Sequence, residues 1–392
     1  MAGSVGVFAF CILILFAIFF HELGHYLTAR WAGIKITKFF IGFGPTLWST
    51  RRGRPETVTI ETRAAALETV TRPETEYGVK ALPLGGFVKI VGMSPLEEVA
   101  PEDEARAFSS VPAWKRAIVL AAGSFTHFVT AFLVLWFVFV AVGIPNPDKP
   151  TLTVDAVQTE IEGKASPAAK AKIAPGDEII SVNGERVERF EDVRTAVRAR
   201  GGKPVTLEIR KDGGRTVTTA IRPILDTSVK PAVPVIGIYP KNELTRQNPA
   251  RALVSSGRAI GNLLRSFFDR VPDAFSASAL GLTGDGPSED RPFSIIGAGK
   301  IAGDLASRGS ILDFLFLFVQ INIFIAVFNM LPLPPLDGGH LLILGIEKIR
   351  GKPVSPRAVM PVAAVVLSVL LLLGVLLAYY DIVQPPTLPN GP

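Results

Sequence analysis

The residues best suited to chemistry form the motif His21-Glu22-Leu23-Gly24-His25, which continues an apolar run without a break. Histidines four positions apart lie on one face of a helix, so both imidazoles can bind one metal ion. Glu22 can take a proton from a water molecule at that metal. Imidazole and carboxylate ligands suit zinc, and hydrolysis needs no redox chemistry. The motif therefore predicts a Zn²⁺ site with two histidine ligands and a glutamate as general base.

A catalytic zinc site has three protein ligands and one open position, so a third ligand must come from elsewhere in the chain. Residues 329–340 read NMLPLPPLDGGH, and three prolines within four positions exclude a regular helix there. We expect Asp337 to be the third ligand, because a carboxylate offsets the charge that two neutral imidazoles leave on zinc. Two alternatives remain open at this point. Asp337 is simply solvated in a turn, or His340 is the third ligand instead.

Four apolar segments are long enough to cross a bilayer, whose hydrocarbon core requires about 20 helical residues. They carry no charged side chain apart from the titratable His127, and they comprise residues 1–20, 117–144, 314–336 and 358–380. A cleaved signal peptide is the alternative for the first segment. That segment lacks a basic amino-terminal region and a small-residue cleavage site, which argues against the alternative. The two histidines and the glutamate then lie at membrane depth, where ionisable residues are usually functional.

Composition and charge support a membrane protein. Hydrophobic residues make up 48% of the 392 residues and charged residues 19%, which excludes a disordered chain and argues against an ordinary soluble enzyme. The net charge is +6, but no block of five or six consecutive Lys or Arg occurs, so we expect no nucleic-acid partner. Cys11 is the single cysteine, which excludes an intrachain disulfide and a cysteine-based zinc site.

The distribution of Lys and Arg predicts the orientation in the membrane. Basic residues follow the first span and precede the second within residues 30–116, and others lie between the third and fourth spans within residues 337–357, while none precedes Arg30 and none follows Arg357. The long loop of residues 145–313 is also charged, but long domains are translocated largely regardless of their charges. By the positive-inside rule these two loops are cytoplasmic, and both termini and the loop of residues 145–313 are extracytoplasmic. We therefore expect a multi-pass protein of the cytoplasmic (plasma) membrane.

Residues 76–93 are predicted to form a β-hairpin on the cytoplasmic side, since two alternating runs flank a turn at residues 83–86. An unpaired hairpin edge could bind an extended substrate, with contacts from Gly85, Gly86, Phe87 and Val88. A plain hairpin without a substrate role is the alternative. Upstream, the tetrapeptide RPET recurs at residues 54–57 and 72–75 and frames an insertion to which we assign no chemistry.

The extracytoplasmic loop contains a stretch, residues 151–223, that looks like an α/β PDZ domain. Asn183-Gly184 is a strong turn signal between strands, and residues 191–198 are expected to form the helix beside the binding groove. The usual Gly-rich carboxylate-binding loop is not evident, so a gating or steric role is as plausible as binding of a free C-terminus. Residues 249–268 have the pattern of an amphipathic helix, which lies on the outer membrane surface or packs on the PDZ domain.

The paired motifs resemble those of the site-2 protease family of intramembrane metalloproteases. The match is carried by HELGH at residues 21–25 and by NMLPLPPLDGGH at residues 329–340, which correspond to the family's HExxH and NxxPxPxLDGG motifs. Supporting stretches are FFIGFGPTLW at residues 39–48 and KALPLGGFVKIVGM at residues 80–93. The order of the spans and the PDZ-like insert agree with the family, so the resemblance covers nearly the whole chain.

This resemblance implies a four-span core that hydrolyses peptide bonds within a membrane segment of the substrate, at a zinc site near the cytoplasmic side. It assigns His21, His25 and Asp337 as zinc ligands, Glu22 as general base and Asn329 to the oxyanion or to substrate orientation. The implied substrates are single-span membrane proteins already trimmed outside by another protease, above all anti-sigma factors, and remnant signal peptides.

The chain departs from the family pattern in one place. Family members commonly show GPxxN in the second span, whereas this chain has Gly123-Ser124-Phe125-Thr126-His127. Proline and asparagine are thus replaced by Ser124 and His127. We expect His127 to form only a local hydrogen bond, with a polar contact like that of the asparagine as the alternative.

The sequence therefore predicts a polytopic α-helical membrane protein with four transmembrane helices, a cytoplasmic-side β-hairpin and an extracytoplasmic α/β PDZ domain. The expected segments are 1–29, 30–116, 117–144, 145–225 (PDZ domain), 226–313, 314–340, 341–357, 358–380 and 381–392. A membrane-tethered metalloprotease that acts on soluble chains is one rival, although the apolar run into the first motif argues against it. A non-catalytic PDZ scaffold is the other, although it has no need of a glutamate beside two histidines.

Overall fold

The computed structural model describes residues 2–52, 56–60, 68–72, 75–93, 98–161, 164–226, 232–281, 291–307 and 311–386. The chain divides into two compact units. The described residues of Met1–Leu135 and Val254–Pro386 form the first unit, and those of Trp136–Leu253 form the second.

In chain order the helices are α1 (Ala2–Ala32), α2 (Ala113–Phe137), α3 (Pro167–Lys170), α4 (Phe190–Ala199), α5 (Pro249–Ala274), α6 (Ile295–Ser307), α7 (Ile311–Asn329), α8 (Asp337–Arg350) and α9 (Pro356–Val383). The strands are β1 (Ile36–Arg52), β2 (Glu56–Ile60), β3 (Glu68–Arg72), β4 (Thr75–Ile90), β5 (Ile144–Val157), β6 (Glu160–Ile161), β7 (Lys164–Ala165), β8 (Glu178–Val182), β9 (Glu185–Arg186), β10 (Val205–Arg210), β11 (Thr216–Ile221), β12 (Ile224–Asp226), β13 (Val233–Val235) and β14 (Ile238–Thr245).

Within the residues that the structure describes, four helices are long and apolar enough to cross a membrane. They cover Ser4–Ala32, Ala113–Val142, Ile311–Asn329 and Pro356–Val383. The four-span prediction is thereby confirmed for length and composition. The third span is shorter than predicted, because the helix ends at Asn329 before the proline-rich stretch begins.

The first helix carries the HExxH motif well inside its length. α1 has no proline and no interruption up to Ala32, and it stops at Gly33, whose φ of +84° is left-handed. This turn lets the N–H of Ile34 bond the carbonyl of Ala29 over 2.9 Å, a common way to end a helix. His25 is seven residues before the helix end, or about 10 Å at 1.5 Å per residue.

The segment between α7 and α8 folds tightly back on itself. A Cβ added at Gly338 would lie 2.1 Å from the carbonyl oxygen of Met330, and one at Gly339 would lie 2.2 Å from the nitrogen of Pro334. Only glycine fits at either position, because a side chain would overlap the main chain. This close packing brings Asp337, the first residue of α8, back beside the end of α7.

The predicted hairpin of residues 76–93 is wrong in its pairing. The two runs form one long strand, β4, and both of its halves pair with β1 rather than with each other. Phe39 pairs with Val88 and with Tyr77, so the first part of β1 lies between the two halves of β4. In the described part of the chain this sheet contains only β1 and β4, which leaves the end of β4 as an edge. The inserted residues pair separately, β2 with β3.

The second unit is an antiparallel sheet with the strand order β11-β10-β8-β5-β14, with β9 paired to β8. Its core joins the sheet to one face of α4, with Ile179, Phe190, Val193 and Leu207 buried. Asn183 and Gly184 have positive φ of 54° and 86° between β8 and β9. The predicted turn and the predicted helix at residues 191–198 are therefore confirmed.

A buried ion pair joins the end of α9 to the start of α6. Arg291 donates to Asp381 over 2.6 Å, and both side chains are almost fully buried. The second carboxylate oxygen of Asp381 accepts from the backbone N–H groups of Ser294 and Gly297, at 2.6 and 3.2 Å. Asp381 therefore neutralises the arginine and also satisfies the free donors at the beginning of α6.

Asp381→Ala should destabilise the protein strongly, since it leaves a buried arginine without its counter-charge. We expect the free energy of unfolding to fall by about 3–5 kcal/mol. Thermal unfolding in mild detergent measures the effect. Asp269→Ala is the matched control, because its ion pair with Arg265 is largely exposed and contributes roughly 0–1 kcal/mol. Equal melting temperatures for the two variants would contradict the prediction.

Candidate active site

The structure brings together the three side chains that the sequence singles out as metal ligands. His21, His25 and Asp337 each offer one donor atom, and these atoms all lie within 4.8 Å of one another. Nε2 of His21 is 3.2 Å from Nε2 of His25, and each nitrogen is 3.6 Å from Oδ2 of Asp337. Within the described ranges, no other group of three such residues is clustered closely enough to hold a metal ion.

These separations fit zinc. In a tetrahedral site with metal–ligand distances of about 2.0–2.1 Å, the donor atoms lie roughly 3.4 Å apart. The three observed separations bracket this value. Two imidazoles and one carboxylate are also a donor set typical of catalytic zinc, which keeps its fourth position open. The residues present therefore fit the metal that the sequence predicts.

A backbone hydrogen bond orients His25. Its Nδ1 lies 2.8 Å from the carbonyl oxygen of Val119 in α2, so Nδ1 must carry the proton and donate it. Nε2 is then a free lone pair directed at His21 and Asp337. Nε2 of His21 lies 3.2 Å from this lone pair, so a metal ion could bind both nitrogens. The tautomer thus favours metal binding.

α2 approaches the histidines closely because it has a glycine at the point of contact. A Cβ built on Gly123 would lie 2.2 Å from Nε2 of His25 and 2.7 Å from Nε2 of His21. Gly24 plays the reciprocal part on α1, where a Cβ would be 2.7 Å from the carbonyl oxygen of Ala122. The space occupied by the two imidazoles therefore exists only because both helices carry glycine here.

Glu22 lies between the ligand cluster and the edge of the β1–β4 sheet. A Cβ on Gly86 would lie 2.9 Å from Cγ of Glu22, and the backbone N–H of Val88 is placed to bond the carboxylate. Phe87 stacks on Phe40 with ring centroids 5.6 Å apart, which fixes this end of β4 on the sheet. Of the four residues expected to contact substrate, two thus lie directly beside the expected general base.

Asn329 and His340, the other two residues considered for the site, lie outside the cluster of three donors. Asn329 is the last residue of α7 and is half-buried. Met330, next to it, packs its carbonyl against Gly338. His340 lies in the first turn of α8, and the group of three clustered donors among the described residues contains Asp337 but not His340. This placement favours Asp337 as the third ligand.

The structure corrects the expectation for His127. Its Nδ1 bonds Oδ1 of Asn322 in α7 over 2.9 Å, so its hydrogen bond is not local. The His127 ring also lies against His21, with centroids 5.1 Å apart. Sequence reasoning missed Asn322, although an amide inside an otherwise apolar span was a usable signal. It also missed Ser124, whose hydroxyl donates to Oδ2 of Asp337 over 3.3 Å.

The site combines two histidines, a carboxylate and a nearby glutamate, and it lies among helices that are apolar enough for a membrane. These features are typical of a membrane-bound zinc metallopeptidase. The comparisons agree with this class. The model of Peptidase family M50, the site-2 protease family, matches residues 9–62 and 56–373. The chain belongs to this family.

Relatives in the family are similar over nearly their whole length. Zinc metalloprotease Rip1 of Mycolicibacterium smegmatis is 32% identical over 98% of this chain and 99% of the relative. Rip1 of Mycobacterium tuberculosis is also 32% identical, with the same coverage. A putative zinc metalloprotease of Mesorhizobium japonicum is 32% identical over 91% of this chain and 92% of its own.

A solved PDZ domain is among the structures similar to part of the chain. The PDZ domain of the SdrC-like protein from Listeria monocytogenes matches 23% of this chain and 87% of that chain, with 22% identity and a TM-score of 0.20.

Gly123→Ala should remove zinc from the protein, because the added methyl group overlaps the ligand nitrogen of His25. We expect the zinc content of the purified variant to fall at least about tenfold, as for other changes that displace a ligand. Elemental analysis of the protein in mild detergent measures it. Gly345→Ala is the matched control, since a Cβ at that exposed helical position meets nothing within 4 Å. Full zinc content in Gly123→Ala would show that the ligands lie elsewhere.

Proposed function

We propose that this zinc metallopeptidase is an intramembrane endopeptidase that hydrolyses peptide bonds within the transmembrane segments of single-span proteins. The observation that carries the proposal is the position of HExxH within α1. The motif is part of a continuous helix whose candidate membrane span, Ser4–Ala32, extends on both sides of it. A protease that acts on soluble chains needs its ligands outside such a span.

In this proposal His21, His25 and Asp337 hold the zinc ion. Bound zinc supplies a Lewis acid that polarises the scissile carbonyl and lowers the pKa of water. Asp337 contributes a negative charge that offsets the metal's charge in a low-dielectric site. The hydrogen bond from His25 to the carbonyl of Val119 keeps the imidazole in the tautomer that binds metal.

Glu22 is the proposed general base. Its carboxylate accepts the proton of the attacking water at Oε and then delivers that proton to the nitrogen of the departing amine. The N–H of Val88 is placed to hold the carboxylate beside the ligands without making it a ligand itself. Asn329 is proposed to stabilise the oxyanion or to orient the substrate through its side-chain amide.

The substrate segment is proposed to bind as an extended strand along Gly85, Gly86, Phe87 and Val88. This stretch ends a two-stranded sheet and has β1 on one side. Strand addition at the other side would bond the substrate main chain and present a carbonyl beside Glu22. Extension also removes the helical hydrogen bonds that otherwise protect peptide groups of a membrane helix.

The proposed membrane orientation is based on the distribution of basic residues, and the proposed substrates are based on the family. The zinc site is proposed to lie toward the cytoplasmic side of the cytoplasmic membrane, with both termini and the second unit extracytoplasmic. Anti-sigma factors that another protease has trimmed outside are the proposed substrates, with remnant signal peptides as a further group. The PDZ assignment of residues 145–225 remains a prediction, and its proposed role is to restrict access before that trimming.

Glu22→Gln tests the base. The variant keeps the size of the side chain and all three proposed ligands, so we expect wild-type zinc content and a loss of cleavage of roughly 10²–10⁴-fold or more. The assay uses a purified single-span substrate in lipid vesicles, with cut sites mapped by mass spectrometry. Wild-type cuts should fall within the substrate's apolar segment. Cuts confined to soluble parts would support a surface protease, and turnover by Glu22→Gln would exclude this base.

Asp337→Asn and His340→Ala decide the third ligand. The assignment of Asp337 is supported by its distance of 3.6 Å from both imidazole nitrogens, and His340 is not in that cluster. We expect Asp337→Asn to lower zinc affinity by about 10–100-fold or more and to abolish cleavage, while His340→Ala keeps most of both. A chelator-competition titration measures the affinity. The opposite result would move the third ligand to His340.

A further inference from the structure

The two positions at which α2 departs from the family pattern both contact proposed ligands, Ser124 through a hydrogen bond to Asp337 and His127 through its ring against His21. Ser124 and His127 are three residues apart, so they lie on the same face of α2. Both are nearly fully buried, with 1% and 2% of their surface exposed. Polar side chains this deep in an apolar span are costly unless they are hydrogen-bonded, and both have partners in other elements.

Ser124 contacts the proposed carboxylate ligand. Its hydroxyl donates to Oδ2 of Asp337 over 3.3 Å, and the same oxygen lies 3.6 Å from the nitrogens of His21 and His25. A proline at this position, as in the family pattern, has no donor to offer. The serine therefore holds the carboxylate oxygen that lies beside both imidazoles, through a hydrogen bond to a charged group.

His127 contacts the site through its ring, and Asn322 fixes that ring. The amide of Asn322 donates from Nδ2 to the carbonyl of Phe318 over 2.8 Å, which leaves Oδ1 as the acceptor for His127. Nδ1 of His127 must then carry its proton, and Nε2 is a lone pair. The anchored ring lies 5.1 Å from the ring of His21, at an angle of 40°.

We infer that Ser124 and His127 are positioning residues of this chain. Ser124 orients Asp337, and the His127–Asn322 pair holds the ring of His21 in the orientation that binds zinc. The inference rests on the proposed set of ligands. It implies that α2 preorganises two of the three ligands from outside the coordination sphere, a role for which partners typically contribute 10–100-fold in metal affinity.

Zinc affinity and zinc-free stability, measured on the same purified proteins in mild detergent, test this inference. Affinity is obtained by competition with a chromophoric chelator, and stability by thermal unfolding after zinc removal. Ser124→Ala removes the donor, and Ser124→Thr restores a hydroxyl. His127→Asn keeps a donor for Asn322 but removes the ring beside His21. Thr126→Val is the matched control, because the Thr126 hydroxyl bonds only its own helix, at Gly123.

We expect Ser124→Ala and His127→Asn to weaken zinc binding by about 10–100-fold each, with zinc-free melting temperatures close to wild type. Ser124→Thr should recover most of the affinity, and Thr126→Val should not change it. Wild-type affinity in either Ser124→Ala or His127→Asn overturns the inference. A loss of affinity that comes with an equal loss of zinc-free stability, and that Ser124→Thr does not rescue, also overturns it in favour of a packing role.

Asp337→Asn in the same titration distinguishes failure of the proposed ligand set from failure of the inference about Ser124 and His127. If it binds zinc as tightly as the wild type, the proposed ligand set fails. If it loses zinc while Ser124→Ala does not, the ligand set stands and only the inference about α2 fails.

Discussion

The structure of the first unit depends on one constraint, which is that His21, His25 and Asp337 converge among apolar helices. Ionisable groups at such depth are costly unless charge and hydrogen bonds are satisfied. Two neutral imidazoles and one carboxylate reduce that cost, and His25 and Asp337 each find a hydrogen-bond partner in α2. The convergence also requires α1 and α2 to approach closely. Gly24 on α1 is the point of contact with the main chain of α2, and Gly123 on α2 is the point of contact with the two imidazoles.

The parts of the site that were predictable from sequence are those encoded by local spacing. HExxH places two histidines and a glutamate on one helix, and the apolar runs predict the helices themselves. Asp337 was predictable because its charge and the Pro/Gly composition around it favour it as the third ligand. The contacts of Ser124 and His127 were not predictable in this way. They join residues about 200 positions apart, and the register between α2 and the later elements is set by packing that no local pattern encodes.

The strand pairing shows the same limit. Alternation of polar and apolar residues correctly indicated extended runs on both sides of residues 83–86, but it does not specify a partner. β1, between residues 36 and 52, supplies the partner for both runs and separates them. A turn signal at residues 83–86 therefore suggested a simple hairpin, while the long-range pairing produced a sheet whose last segment reaches Glu22.

The two kinds of support that the ligands receive differ in how they respond to mutation. His25 is oriented by the carbonyl of Val119, a main-chain atom that every amino acid possesses. No single substitution at that position deletes the acceptor, so the hydrogen bond that orients His25 does not depend on the side chain at position 119. Asp337 is oriented by the side chain of Ser124, which one nucleotide change can remove. Evolution can therefore adjust the carboxylate ligand in small steps, while the orientation of His25 stays the same as long as α1 and α2 remain packed.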